Sequence, residues 1–224
     1  MEKTKYLAYL ESFLSPRKKF LFDKISADRT RHFTIAAEDT YQDHNASALI
    51  RSCDCFGIQD LHIIEEINRY RLAKGMTQGA DKWVDTHYYS NFENNSQRCI
   101  DTLRTLGYAI IATTPHETNR VLDDFDIRKK AAFFFGKERL GLSKLVLDQA
   151  DEHIKIPMVG FSESFNISVS AALLLQSLTN RLRKSEDVDW RLSNEEITDL
   201  KIKWCLRTIQ NGERIGEKYL SENN

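Results

Sequence analysis

Proline is scarce in this 224-residue chain, three in all, and glycine numbers only nine. No internal repeat or low-complexity tract accompanies them. Neither sign of charge prevails: 32 basic against 33 acidic residues leave a formal net of -1. That balance argues against coating nucleic acid by bulk charge, though a local basic patch stays open. The four cysteines (Cys53, Cys55, Cys99, Cys205) lack metal-ligand spacing. Cys53 and Cys55 stand two apart in a helical pattern, where such neighbours do not share a face. They are expected to be reduced thiols of a cytoplasmic protein. No stretch approaches about 18 consecutive apolar residues, and "MEKTKYLAYLESFL" has no uncharged apolar core, so neither a membrane span nor a signal peptide is expected. The six histidines show no pair at metal spacing, and no metal is expected.

What is present is unevenly placed. Residues 1–31 carry eight Lys/Arg (Lys18, Lys19 and Arg29 among them) against four acids. A second basic stretch, "NRYRLAKGMTQGADKW", holds Arg69, Arg71 and Lys74, with Tyr70 and Trp83 as stacking surfaces. Basic, aromatic-bearing segments suit a contact that tracks a nucleic-acid backbone, and equally a solvated loop.

The chain then alternates two periods. "HFTIAAE", "LHIIEE", "WVDTHYYS", "YAIIATT", "AAFFFG" and "HIKIPM" read as strands. "NASALIRSCDCFG", "NFENNSQRCIDTLRTLG", "LSKLVLDQA" and "NISVSAALLLQSLTNRLR" read as helices. Strands alternating with helices, several apolar throughout, predict an α/β fold with a parallel sheet covered on both faces. Helical extensions are expected at both ends: residues 1–31, broken at Ser15-Pro16, and residues 184–224, which hold the S-x-x-E capping box Ser193/Glu196. The apolar stripes of "SNEEITDLKIKWCLRTI" require a cover, from the main domain or a second subunit. The central domain is placed at residues 32–183.

In open parallel sheets, ligands bind beyond the carboxyl ends of the strands, and three polar loops fall there. Asn45 and Arg51 lie six apart on the first helix, well under half a turn apart in angle and nearly two turns along the axis. Taken alone, Asn45 reads as a helix cap and Arg51 as a surface cation. Gly136-x-x-x-x-Gly141 lacks the lysine of a phosphate-binding P-loop, because Leu142 stands in its place. Ser164 has no G-x-S-x-G around it; it and Asn166 read independently as caps. No G-x-G-x-x-G follows a strand, which disfavours a dinucleotide-binding oxidoreductase. Glu138, Lys137 and Arg139 read as solvated charges at a strand end.

Order and spacing together add more. "HNASALIRSCDCFG", "FFFGKERLGLS" and "ADEHIKIPMVGFSESFNISVSAALLL" resemble the three motifs of the SpoU (TrmH-type) branch of the SPOUT RNA methyltransferases, over about residues 30 to 183. Phe165 and Ile167 depart from the usual Leu and Val; since the resemblance implies that the backbone at the first position helps hold the cofactor, binding is expected to survive with an altered local fit of the adenine. "GMTQGADKW" and the terminal extensions further resemble the subgroup that methylates a guanosine ribose in the tRNA D-loop; a ribosomal-RNA enzyme of the same family and a non-catalytic RNA-binding relative are the alternatives. The resemblance implies a C-terminal deep trefoil knot, a homodimer, and S-adenosylmethionine bound by Thr113, Gly136, Ile156 and Phe165. It implies catalytic roles for Arg51, Asn45, Glu138, Ser164 and Asn166. It leaves Lys18, Lys19, Arg29, Arg69, Arg71 and Lys74 as candidate tRNA contacts.

Overall fold

The computed structural model describes residues 2–39, 43–66, 77–90, 93–115, 120–137 and 140–223. Two helices come first, α1 (Glu2–Glu11) and α2 (Pro16–Ala27). The alternating region follows as β1 (Phe33–Glu38), α3 (Asp43–Phe56), β2 (Asp60–Ile64), β3 (Asp85–Tyr89), α4 (Asn95–Thr105) and β4 (Ala109–Thr113). It continues with β5 (Ala131–Phe135), α5 (Lys144–Gln149), β6 (Glu152–Ile154) and α6 (Ile167–Lys184), and the chain ends with α7 (Asn194–Thr208) and α8 (Gly212–Asn223). The chain divides into two units, residues 31–190 and a second made of residues 1–30 with 191–224.

The larger unit is a six-stranded parallel sheet in the order β3-β2-β1-β5-β4-β6. Its centre explains the apolar runs of the sequence. β5 lies between β1 and β4, with Phe133 in register with Ile35 on one side and Ile111 on the other. Alternate residues then enter opposite cores. Ala131, Phe133 and Phe135 join Leu49, Ile50, Leu174 and Leu178 of α3 and α6. Ala132 and Phe134 join Cys99, Ile100, Leu103 and Val146 of α4 and α5. A strand buried on both faces has no polar alternation to show, so "AAFFF" is what such a position demands. α3 stops where Gly57 takes φ +76°, a left-handed helix terminus. Cys53 is buried and Cys55 exposed on that helix, and all four cysteines are free thiols.

The smaller unit is helical. Ser193 and Glu196 form the capping box reciprocally at the start of α7. α1, α2 and α8 pack against α7 and supply the cover its apolar stripes require. Trp204 is the centre of this packing, with Phe22 edge-on at 5.4 Å and the Arg29 guanidinium 5.5 Å from the ring. Lys201 joins the two N-terminal helices by ion pairs to Glu11 at 2.7 Å and Asp23 at 2.6 Å. Among the described residues no helix is long and apolar enough to cross a membrane.

Candidate active site

Three loops at the carboxyl ends of the strands converge on a cavity of about 300 Å³. They follow β4 at Thr113–Pro115, follow β5 at Gly136, and run from β6 to α6 across Ile156–Phe165. Thr113, Gly136, Ile156, Ser164 and Phe165 all line the cavity, with Phe135, Leu142, Leu147 and Ile154 as apolar wall. The volume is at the small end for a ligand pocket.

Each wall has a local cause. Lys137 and Gly141 exchange backbone hydrogen bonds at 3.0 and 2.9 Å, closing a tight loop directly after β5. This folds the chain back so closely that a Cβ at Gly136 would lie 2.2 Å from both the Gly141 carbonyl carbon and the Leu142 nitrogen. Only glycine fits where two backbone strands cross at that distance. The Thr113 hydroxyl donates to the Phe134 carbonyl at 2.6 Å, so its polar atom is committed to the sheet. The result is an apolar slot edged by backbone groups. That is the chemistry an adenosine requires, a flat apolar ring with hydrogen-bonding edges, and the residues fit such a group.

Asn166 is the N-cap of α6: its Oδ1 accepts from the Ser168 N–H at 2.8 Å and the Ser168 hydroxyl at 2.6 Å. Its Nδ2 donates to Oδ1 of Asn45 at 3.1 Å. Asn45 is buried, 4 % exposed, and lies inside the first turn of α3, which begins at Asp43. The cap reading of Asn45 therefore gives way to a contact between α3 and the start of α6. Arg51 stands on the exposed side of α3 and makes no hydrogen bond to Asn45, Ser164 or Asn166. Ser164 is exposed at the cavity rim. Glu138, Arg69, Arg71 and Lys74 lie outside the described residues.

In the helical unit, Lys18 and Lys19 are half-buried, and the Lys18 ammonium stands 5.9 Å from the centre of the Phe22 ring. Arg29 is 1 % exposed beneath Trp204. It is a packing cation, and the expectation that it contacts RNA is corrected: stacking on the indole removes its guanidinium from solvent.

Three further residues near the cavity, Glu38, Asp39 and Ser143, were not singled out from sequence. Glu38 ends β1 and Asp39 follows it directly; both are buried, and Asp39 takes φ +53°. Asp39 pairs with the Lys137 ammonium at 2.8 Å, and Glu38 accepts from the Ser143 N–H and hydroxyl, each at 2.7 Å. Lys137 is thus no ordinary surface charge. Consecutive acids at the end of a buried strand were the available signal.

The strongly shifted ionisable groups do not line the cavity. Burial, with His87 stacked beside it, pushes the His62 imidazole down to about 3. Burial raises the Asp60 carboxyl, but the hydrogen bond from His87 and the Arg31 charge outweigh it and the net direction is down. Burial raises the Cys99 thiol and the Tyr89 phenol. Among the described residues no group of three His, Cys, Asp or Glu is placed to hold a metal ion.

A parallel α/β sheet with a backbone-edged cavity across the ends of its strands defines the class. The family model "SpoU rRNA Methylase family" matches residues 32–176, and the chain belongs to that family. A tRNA (guanosine(18)-2'-O)-methyltransferase of Borreliella burgdorferi is 38 % identical over 207 residues, 92 % of this chain and 93 % of that protein. The TrmH/SpoU tRNA modifying enzyme of A. aeolicus has a TM-score of 0.74 at 24 % identity, covering 94 % of this chain and all of that one. The SpoU methyltransferase AviRb of Streptomyces viridochromogenes, solved in complex with AdoMet, has a TM-score of 0.59 at 19 % identity over 73 % of this chain and 65 % of its own.

Proposed function

We propose that this chain is an S-adenosylmethionine-dependent tRNA 2′-O-ribose methyltransferase acting on the D-loop guanosine at position 18, the site named for its 38 %-identical relative. The observation that carries the reading is the Asn166–Asn45 hydrogen bond, which ties the helix bearing Arg51 to the rim of the cavity. S-adenosylmethionine supplies, when bound, a methyl group already activated on a sulfonium. Thr113, Gly136, Ile156 and Phe165 hold its adenosine.

The difficulty of the reaction lies in the nucleophile, since a ribose hydroxyl is a very weak acid. Arg51 does not take its proton, because a guanidinium stays charged. It grips the adjacent phosphate and stabilises negative charge developing on the ribose oxygen, while a phosphate oxygen or a water accepts the proton. Asn45, Asn166, Ser164 and Glu138 position Arg51 and the ribose.

The knot expected of the central domain belongs to this proposal. The homodimer does too, supported by Val159, Phe161, Val169 and Leu173, apolar side chains exposed on the last loop and α6. A cytoplasmic location follows from a tRNA substrate. Lys18 and Lys19, with Arg69, Arg71 and Lys74, are the proposed tRNA contacts. Labelled S-adenosylmethionine and unmodified tRNA test the function: label should enter tRNA, and incorporation only into ribosomal RNA overturns the assignment.

A further inference from the structure

We infer that Glu38 and Asp39 form a two-point clamp that sets the cavity-wall residues Gly136, Lys137 and Leu140–Leu142, and that they act as positioning residues for the reaction. The inference rests on the cofactor reading above. The wall contributes Gly136, Lys137, Gly141 and Leu142 to the cavity. It leaves the sheet at the end of β5 and rejoins helical structure at Ser143, the N-cap of α5. Both of its ends are held by adjacent residues, the last of the neighbouring strand β1 and the one after it. At the near end, the Lys137 ammonium reaches Oδ2 of Asp39 at 2.8 Å, while Oδ1 accepts the Glu66 N–H at 2.9 Å. At the far end, Glu38 Oε2 accepts the Ser143 N–H at 2.7 Å. Its Oε1 accepts the Ser143 and Ser96 hydroxyls at 2.7 and 2.6 Å.

The backbone makes this possible. Successive strand residues point to opposite faces, so two adjacent acids could not normally reach one loop. The left-handed turn at Asp39, φ +53°, breaks that alternation. A non-glycine residue held there is uncommon, and aspartate is among the side chains that tolerate it. The carboxylates are 3 % and 1 % exposed. Glu38 exchanges water for three hydrogen-bond donors, while the buried Oδ2 of Asp39 makes no hydrogen bond and has the Lys137 ammonium as its ion-pair partner. A shift of the wall therefore strands a buried acceptor at one end and a buried charge at the other. A wall whose backbone faces the adenosine must be fixed to a fraction of an ångström to be useful.

The test uses the full chain and S-adenosylmethionine as titrant. Asp39→Asn keeps a side chain that accepts the left-handed backbone while removing the charge, and Lys137→Gln removes the other partner from a half-exposed position. Each should weaken S-adenosylmethionine binding about tenfold and raise its KM, with KM for tRNA unchanged. The double variant should be no weaker than the single ones, because both remove the same contact. Glu38→Gln, which replaces one acceptor oxygen by a donor, should act in the same direction. Folded variants that bind at wild-type affinity, or single effects that multiply in the double variant, overturn the clamp. Failure of the wild-type chain itself to bind S-adenosylmethionine overturns the cofactor reading, and the clamp with it.

Discussion

Asn166 donates from Nδ2 to Oδ1 of Asn45 across 121 residues of sequence, while its own Oδ1 caps α6. One side chain thus performs two separable tasks, and aspartate separates them. Asp at position 166 retains the capping oxygens but has no donor for Asn45, and it faces that oxygen with negative charge. Asn166→Asp should fold with stability within about 1 kcal/mol of wild type, since Asn and Asp cap equally well, and lose at least about tenfold in methyl transfer. Asn166→Ala loses the cap and the Asn45 contact together and should melt below Asn166→Asp by about 1 kcal/mol, the ordinary cost of a missing cap. Thermal melts beside initial rates distinguish these outcomes. Wild-type turnover in Asn166→Asp would leave Asn166 as a cap alone.

Arg51 is an exposed cation with no ion-pair partner among the described residues, so its removal should not disturb the fold. Arg51→Ala should retain S-adenosylmethionine binding and lose about a hundredfold in turnover, the scale for one group stabilising developing oxyanion charge. Near-normal rates remove Arg51 from the mechanism. Single-turnover kinetics with saturating tRNA read the chemical step directly.

How far the site could be read from sequence depended on the range of each contact. Strands such as "HFTIAAE" and "AAFFFG" were legible because a strand buried on both faces must be apolar throughout. α2 and α8 were less so: Phe20, Leu21, Phe22 and Ile25 crowd α2 without a single 3.6-residue face, and α8 is largely polar. The motif residues around the cavity came from resemblance, whereas their pairing did not. Glu38 meets Ser143 over 105 residues, and no local pattern announces such a partner. Arg29 failed for the same reason. It counts as a surface cation in composition until Trp204, far along the chain, is folded over it.

The buried His62 sets a pH dependence for the fold. Its imidazole is held down to about 3, below the ordinary 6.5 of the unfolded chain, by burial and by the neighbouring His87. Between those values the unfolded state binds the extra proton, so stability is fully present above about pH 6.5 and falls as pH drops toward 3. The slope from this group approaches about 1.4 kcal/mol per pH unit. His62→Phe should lower stability at neutral pH by removing the contact to the Tyr89 hydroxyl, 3.0 Å away, and flatten the loss between pH 6 and 4. Urea midpoints across that range measure it; a slope equal to wild type contradicts the assignment to His62.

Lys18 and Lys19 sit on the first turns of α2, each half-buried. Long cationic chains keep the ammonium in water while the stem packs, so both heads stay within reach of phosphate. Replacing both by Gln should weaken tRNA binding and reduce the slope of log K against log salt by one to two, as expected when one or two phosphate contacts are lost. An unchanged slope assigns α2 to packing only.

Methylation of one tRNA ribose is tested most directly by nuclease mapping of the labelled product. tRNA methylated by the purified chain is digested with a nuclease that stalls at 2′-O-methylated riboses, and the protected linkage is located. Protection at the guanosine of position 18 in the D-loop is the predicted result. Protection at another nucleotide, or label that stays with the base, contradicts it.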